Sequence, residues 1–434
     1  MKALRAAVLR FTSEGQAIYD EDGLLVLGED GLIAAVGDYH STRSRFPGVE
    51  TEHLSGRILA PGFVDLHIHY PQLDVIGSPA EGLLPWLEHY TFPAEARFAD
   101  AAHAGEVASF FLDELARHGV TTALVFGSSH PESVDAFFQQ AQARKLRMIC
   151  GKALMDRHAP EGVRDATEQS LIDTEGLIER WHGQDRLGYA ITPRFAPSCS
   201  DAQLRGAGEL AGRHPDVWIQ SHVAENEDEV RWAHELFPQA RSYLGVYDGF
   251  GLMRARAIYA HCIHLDGRDR ELMRSSGAAA AVCPTSNLFL GSGHFDFARA
   301  DEAGFKYGLA SDVGGGTSFS PFHTMLAAYY VGREGRVKTG LSLAPEQLWW
   351  KHTGGAARAL GLDGSIREGK ARPAIGNLAI GHEADFLVLN PKATPMLARK
   401  TAQASSLAEL LFSLIVLGDD RVIERTHIAG RAAP

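Results

Sequence analysis

Pro61-Gly62-Phe63-Val64-Asp65-Leu66-His67-Ile68-His69 is the stretch on which the reading of the fold turns. It is an apolar run closed by two histidines, two residues apart. In a strand such residues face the same way, so both imidazoles project together from its C-terminal end. The figure recurs downstream. Trp218-Ile219-Gln220-Ser221-His222 and Ala257-Ile258-Tyr259-Ala260-His261 each end on histidine, and Asp312 follows Tyr307-Gly308-Leu309-Ala310-Ser311, just before Gly314-Gly315-Gly316. Strand-like runs fall at 62–69, 121–126, 148–154, 188–193, 218–222, 257–261, 278–282 and 306–311. Between most of them lie amphipathic segments of helical length, such as 101–118 and 226–237. Eight strands alternating with helices predict an α/β fold, a parallel (β/α)8 TIM barrel over residues 61–373. A doubly wound open sheet is the alternative arrangement.

The ends of the chain have another rhythm. Runs at 17–20, 23–27 and 31–37 are short, alternate apolar with polar, and are separated by Gly and Asp as hairpin turns would separate them. Strand-like runs return at 376–380, 384–389 and 422–429, with a helix around 406–417. The economical arrangement is one small β-sandwich domain built from 1–60 and 374–434, with the barrel inserted. No internal repeat or low-complexity tract interrupts this plan.

The bulk numbers suit it. At 434 residues, 45% of them hydrophobic, the chain can bury one large core and a smaller one beside it. A net charge of −12 repels phosphates, and no basic run offsets it, so no nucleic-acid partner is expected. No apolar run is long enough to span a membrane, and no signal-peptide pattern opens the chain. Cys150, Cys199, Cys262 and Cys283 form no C-x-x-C pair and no disulfide framework. The expected setting is the reducing cytoplasm.

Four histidines and an aspartate at strand ends of one barrel would converge on its mouth, where active sites of this fold sit. Neutral imidazole is a common zinc ligand, and a catalytic zinc takes about three protein ligands plus water. A lone histidine at a strand end is more often a satisfied polar side chain than a ligand; it is the recurrence that points to a metal. His264 is a rival ligand, past its strand. Asp65 suits a supporting or structural role behind His67. Glu225, three residues after His222, is placed either to shuttle protons to a metal-bound water or to cap the helix that Asn226-Glu227-Asp228-Glu229 would begin. Other chemistries find no footing. His130-Pro131-Glu132 matches half of an H-x-E…P-C-x-x-C zinc deaminase, but the cysteine half is missing. Neither a G-x-S-x-G elbow nor a phosphate-binding G-x-x-x-x-G-K-[ST] loop is present.

Taken together, the paired histidines, His222 with Glu225, Ala260-His261-Cys262-Ile263-His264 and Ser311-Asp312 resemble the amidohydrolase superfamily, in its deaminase and chlorohydrolase branch, over the whole chain. A finer resemblance is to the guanine deaminases. It is carried by His69-Tyr70-Pro71-Gln72, by Gly82-Leu83-Leu84-Pro85-Trp86-Leu87 and by Tyr90-Thr91-Phe92-Pro93-Ala94-Glu95-Ala96-Arg97-Phe98. Thr192-Pro193-Arg194-Phe195, Gln220 to Asn226, and Cys283-Pro284-Thr285-Ser286-Asn287-Leu288 add to it. The resemblance implies one zinc per chain held by His67, His69, His222, His261 and Asp312, without a carboxylated lysine. It implies catalytic roles for Glu225, Asp312 and His261, and purine contacts from Gln72, Arg194 and Phe195. The implied activity is hydrolytic deamination of guanine to xanthine and ammonia, in purine catabolism, by a homodimer. Leu66, where the family often has Thr, and the Gly314-Gly315-Gly316-Thr317-Ser318 loop depart from the common pattern. Chemistry agrees with the implied contacts: guanine offers acceptors at O6 and N7, Arg194 is a two-pronged donor, and Gln72 both donates and accepts. Phe195 would pack on a ring face; Trp86 would do so or simply fill the core. A hydrolase of another aminopurine, a pterin or a triazine is the nearest rival, and a barrel kept only as an assembly scaffold a more distant one.

Overall fold

The computed structural model describes residues 1–334, 341–364 and 374–433. The barrel strands run Phe63–His69, Val120–Phe126, Arg147–Gly151, Gly188–Pro193, Trp218–Val223, Ala257–His261, Ala279–Val282 and Lys306–Leu309, neighbouring one another in that order. Every pairing along the path is parallel. The two-residue strand Ala153–Leu154 extends the third. Val120–Phe126 is buried throughout, as strands covered on both faces must be. Last and first strands meet through Asp312 N–H donating to His67 O at 2.9 Å and His69 N–H donating to Val313 O at 2.8 Å.

Inside the barrel lie Val64, Leu66, Leu124, Ile149, Ile258 and the small side chains of Ala279 and Ala281, with helix Gly354–Leu360 in the same cluster through Ala356, Ala357 and Leu360. Phe63 and Ile68 belong instead to the larger cluster between barrel and helices. Strict alternation would not allow Leu66 and His67 to face inward together. The pairing of the first strand with the second shifts register between Asp65 and Ile68, and this irregularity permits both.

The chain ends pair into one seven-stranded mixed sheet, in the order Arg431–Ala432, Ile423–Ile428, Phe386–Leu389, Thr51–Pro61, Lys2–Phe11, Ala17–Leu27, Ile33–Asp38. Thr51–Pro61 is parallel to Lys2–Phe11 and antiparallel to Phe386–Leu389, so N- and C-terminal segments share the sheet. Helix Leu407–Leu417 starts at an N-cap on Ser406, whose hydroxyl accepts from Glu409 N. Two local expectations are corrected. The runs at 17–20 and 23–27 are one strand, because Asp20 and Asp22 pair across it with Arg10 (3.1 Å) and Arg5 (2.7 Å) and do not turn the chain. The run at 376–380 is no strand: Gly376 has φ +72°, and the Asn377 amide takes the place of a strand partner, accepting from Phe11 N at 2.9 Å and donating to Phe11 O at 2.7 Å. The boundary expected at residue 373 lies outside the described residues.

Glu383 ties this sheet to the barrel. Its carboxylate accepts from Arg147 Nε at 2.9 Å, in the third barrel strand, and from Arg186 Nη2 at 2.5 Å; Arg186 also reaches Asp385. Burial would raise the Glu383 pKa, but the two guanidinium groups outweigh it and hold the carboxyl below its ordinary value. Removing one member of a buried charge cluster leaves the others unpaired, which costs about 3–5 kcal/mol. Glu383→Ala should therefore lower the melting temperature clearly in a thermal scan, with secondary structure retained below the transition. An unchanged melting temperature would refute the tie.

Candidate active site

All five expected metal ligands stand where their strands end. His67 and His69 close the first strand, His222 lies one residue from the end of the fifth, His261 closes the sixth, and Asp312 follows the eighth. His67 Nε2 is 3.0 Å from His69 Nε2, which is 3.2 Å from His222 Nε2. Asp312 Oδ1 lies 3.2 Å from His67 Nε2 and 3.4 Å from His69 Nε2, and Asp312 Oδ2 is 3.9 Å from His261 Nε2. The structure thus brings the whole predicted donor set together. His261 and Asp312 have φ of +69° and +53°, a backbone region that non-glycine residues seldom adopt and that recurs at functional sites.

Tautomers follow from the partners behind the ligands. His222 Nδ1 lies 2.6 Å from the Arg194 carbonyl, which only accepts, so Nδ1 carries the proton and Nε2 keeps its lone pair. His261 Nδ1 likewise faces Asn287 Oδ1 at 2.9 Å. Burial holds the pKa values of His67, His69 and His222 below that of free imidazole, which keeps these rings neutral. Burial would raise Asp312, yet the adjacent imidazoles of His67 and His261 prevail and hold it below the usual carboxylate range. His261 Nε2 is buried and makes no hydrogen bond. With Glu225 Oε2 at 3.3 Å and Asp312 Oδ2 at 3.9 Å, its lone pair faces carboxylate oxygens, which is costly unless a cation lies between them. These residues therefore fit a metal ion. His264 turns elsewhere, to Ser292 O at 3.3 Å, and is no member of the cluster. Cys283 Sγ also lies close to His67, His261 and Asp312, which the sequence reading missed; burial drives its pKa well up.

Glu225 is not the helix cap. Asn226 caps helix Glu227–Leu236, and Glu229 completes the capping box. Glu225 turns inward: Oε2 is 3.3 Å from His261 Nε2 and Oε1 accepts from Ser292 Oγ at 2.8 Å. Its backbone N–H is held by Glu229 Oε2 at 3.0 Å. Burial pushes its pKa up to about 7, so near neutrality it both gives and takes a proton. Asp65 has the structural role, accepting from His67 N and Ser311 N, both at 3.1 Å, across the junction of first and last strands.

A cleft joins His69, His222, His261 and Asp312 to Gln72, Arg194, Phe195, Glu225 and Trp86. Trp86 sits among Leu83, Leu87, Phe92, Met155 and Leu290, an apolar cluster over the cleft, so it packs as core and lines the site at once. Phe195 is backed by Trp232, ring centres 5.9 Å apart. Arg194 is buried in an ion pair with Glu95, Nη1 lying 2.8 and 2.6 Å from the two carboxylate oxygens. Gln72 donates to the same carboxylate at 3.0 Å. Glu95, Asn287, Ser292 and Glu229 were given no role from the sequence. For Asn287 a signal existed, since it follows the seventh strand as Asp312 follows the eighth, and for Glu229 there was the spacing of a capping box after Asn226; Glu95 and Ser292 show no local pattern of this kind.

The sequence profile of the Amidohydrolase family matches residues 58–433. The chain is 41% identical to a guanine deaminase of Escherichia coli (strain K12) over 412 residues, 95% of this chain and 91% of that one. In structure it resembles the E. coli guanine deaminase at a TM-score of 0.92 and 39% identity, over 100% of this chain and 98% of the other. It also resembles the guanine deaminase from C. acetobutylicum with bound guanine in the active site, at a TM-score of 0.90 and 28% identity, with 100% of both chains covered.

Proposed function

The chain belongs to the amidohydrolase family, among its guanine deaminases, and on that premise we propose that His67, His69, His222, His261 and Asp312 hold one zinc ion beside a purine pocket formed by Gln72, Arg194 and Phe195. The reaction is hydrolysis of a C–N bond: guanine and water give xanthine and ammonia. The observation that carries the assignment of roles is the cleft, in which four of the five convergent donors, the orphaned Nε2 of His261 among them, face the buried arginine and glutamine across one space. When bound, zinc supplies Lewis acidity and lowers the pKa of water toward neutrality. A His/Asp donor set also accepts iron or manganese, and zinc is chosen for its fit to neutral imidazole.

The residues divide the proton work. Asp312 takes a proton from the water that adds to C2 of guanine. Glu225 delivers one to the neighbouring ring nitrogen, which keeps charge from building up on the ring. The two carboxylates then carry a proton to the amino group, and ammonia leaves. His261, anchored by Asn287, orients the oxygen developing at C2. Arg194 and Gln72 donate to the acceptor edge of the base, and Phe195 packs on its face.

The same reading divides the chain into a terminal β domain, 1–60 with 374–434, and a catalytic barrel, 61–373, supported by the separate strand orders of the two sheets. It takes the enzyme as a homodimer of the cytoplasm, in keeping with four buried free thiols. No helix among the described residues is long and apolar enough to cross a membrane.

The deciding assay supplies purified protein with guanine, adenine, cytosine and melamine in turn and measures ammonia. Release from guanine alone is expected. Faster release from another of the four would overturn the pocket assignment.

A further inference from the structure

We propose that Glu95 is a positioning residue that sets substrate specificity by committing Gln72 and Arg194 to hydrogen-bond donation; the proposal rests on the reading of those two side chains as the purine contacts. Glu95 sits in the short helix Phe92–Ala96, after the first barrel strand, with no exposure to solvent. It does not line the cleft, yet it grips two residues that do. Oε1 accepts from Gln72 Nε2 at 3.0 Å and from Arg194 Nη1 at 2.8 Å, and Oε2 accepts from Arg194 Nη1 at 2.6 Å.

An ionised carboxylate only accepts hydrogen bonds. Gln72 must therefore turn its NH2 group toward Glu95, and its Oε1 then faces Gly314 N at 3.4 Å. The Gly314 N–H favours the same orientation only weakly at that distance, so Glu95 is the stronger of the two determinants. Arg194 is nearly as buried, and a lone guanidinium beside a metal site would be repelled by the cation; Glu95 neutralises it in place. The outcome is a pocket wall made of donors. Guanine suits it, since O6 and N7 only accept. A purine with an amino group at C6 in place of the oxygen presents a donor to donors, and such a mismatch in a buried site is strongly rejected.

The test measures kcat and KM for guanine and for 2,6-diaminopurine, with zinc content, in wild type, Glu95→Gln, Arg194→Met and the double variant. Glutamine fills the same space but offers an NH2 group, which lets Gln72 flip. Glu95→Gln should raise KM for guanine roughly tenfold or more, lower kcat less, and cut the preference for guanine over 2,6-diaminopurine by about tenfold or more, with zinc unchanged. Its effect should shrink in the Arg194→Met background, because both changes disable one device. Wild-type KM and preference in Glu95→Gln would overturn the proposal, as would a loss of kcat and zinc with KM and preference intact. Full additivity with Arg194→Met would also overturn it while leaving Arg194 as a purine contact. An Arg194→Met enzyme with normal KM would instead overturn the reading beneath it. If Glu95→Gln does not fold, Glu95→Asp carries the same comparison, since it keeps the charge but cannot span both partners.

Discussion

Glu225→Gln should yield a folded protein that keeps its metal and still binds guanine, yet makes xanthine more slowly by roughly a hundredfold to ten-thousandfold, the usual loss for one well-placed acid–base group. The geometry explains the size of the effect. Glu225 is fully enclosed, its Oε1 is held by Ser292, and its Oε2 faces His261 Nε2 at 3.3 Å. Burial brings it to about 7, where proton transfer in both directions is cheap. A glutamine keeps the shape and the contact with Ser292 but carries no transferable proton. The check is steady-state xanthine formation, with zinc content and a guanine titration on the same sample. Near-normal turnover would remove Glu225 from the proton path. Loss of zinc as well would make it a support of the metal and require another acid.

Changing His67 and His69 together to alanine should abolish both metal content and activity. Elemental analysis of the wild type should give about one zinc per chain, as a single His/Asp site requires. The double variant should give close to none. The two rings supply adjacent Nε2 donors 3.0 Å apart, and what remains, His222, His261 and Asp312, no longer surrounds a point. Two metals per wild-type chain, or an undiminished metal in the variant, would refute the mononuclear site. The apo protein should also melt at a lower temperature than the loaded one, since whatever binds only the folded chain stabilises it.

Much of this was legible in the sequence because the proposed ligands sit where a local rule places them. A strand that ends on His or Asp announces both the strand and its mouth-facing residue, and the observed strands depart from the expected bounds by a residue or two at most of their ends. Where long-range pairing decides, local pattern fails. Asp20 and Asp22 read as turn formers until Arg10 and Arg5 on the neighbouring strand are seen to meet them. The run at 376–380 reads as a strand until Asn377 is seen bonded to Phe11, 366 positions away. The capping reading of Glu225 fails because Asn226 is the cap and Ser292, 67 positions on, holds the Glu225 side chain inward. Glu95 falls within a stretch that carries the family resemblance, but its role stays hidden there, because its meaning lies in Arg194, 99 positions on.

The seam between first and last barrel strands sets an order of events for the newborn chain. Asp65 waits for Ser311, 246 residues later, and His67 and His69 wait for Asp312 and Val313. Until that late segment leaves the ribosome, the histidines of the opening strand have no cylinder to face into. Contacts so distant in sequence form slowly. The five proposed ligands therefore come together only late in folding, and a chain that stops short of residue 312 lacks the carboxylate that completes the set.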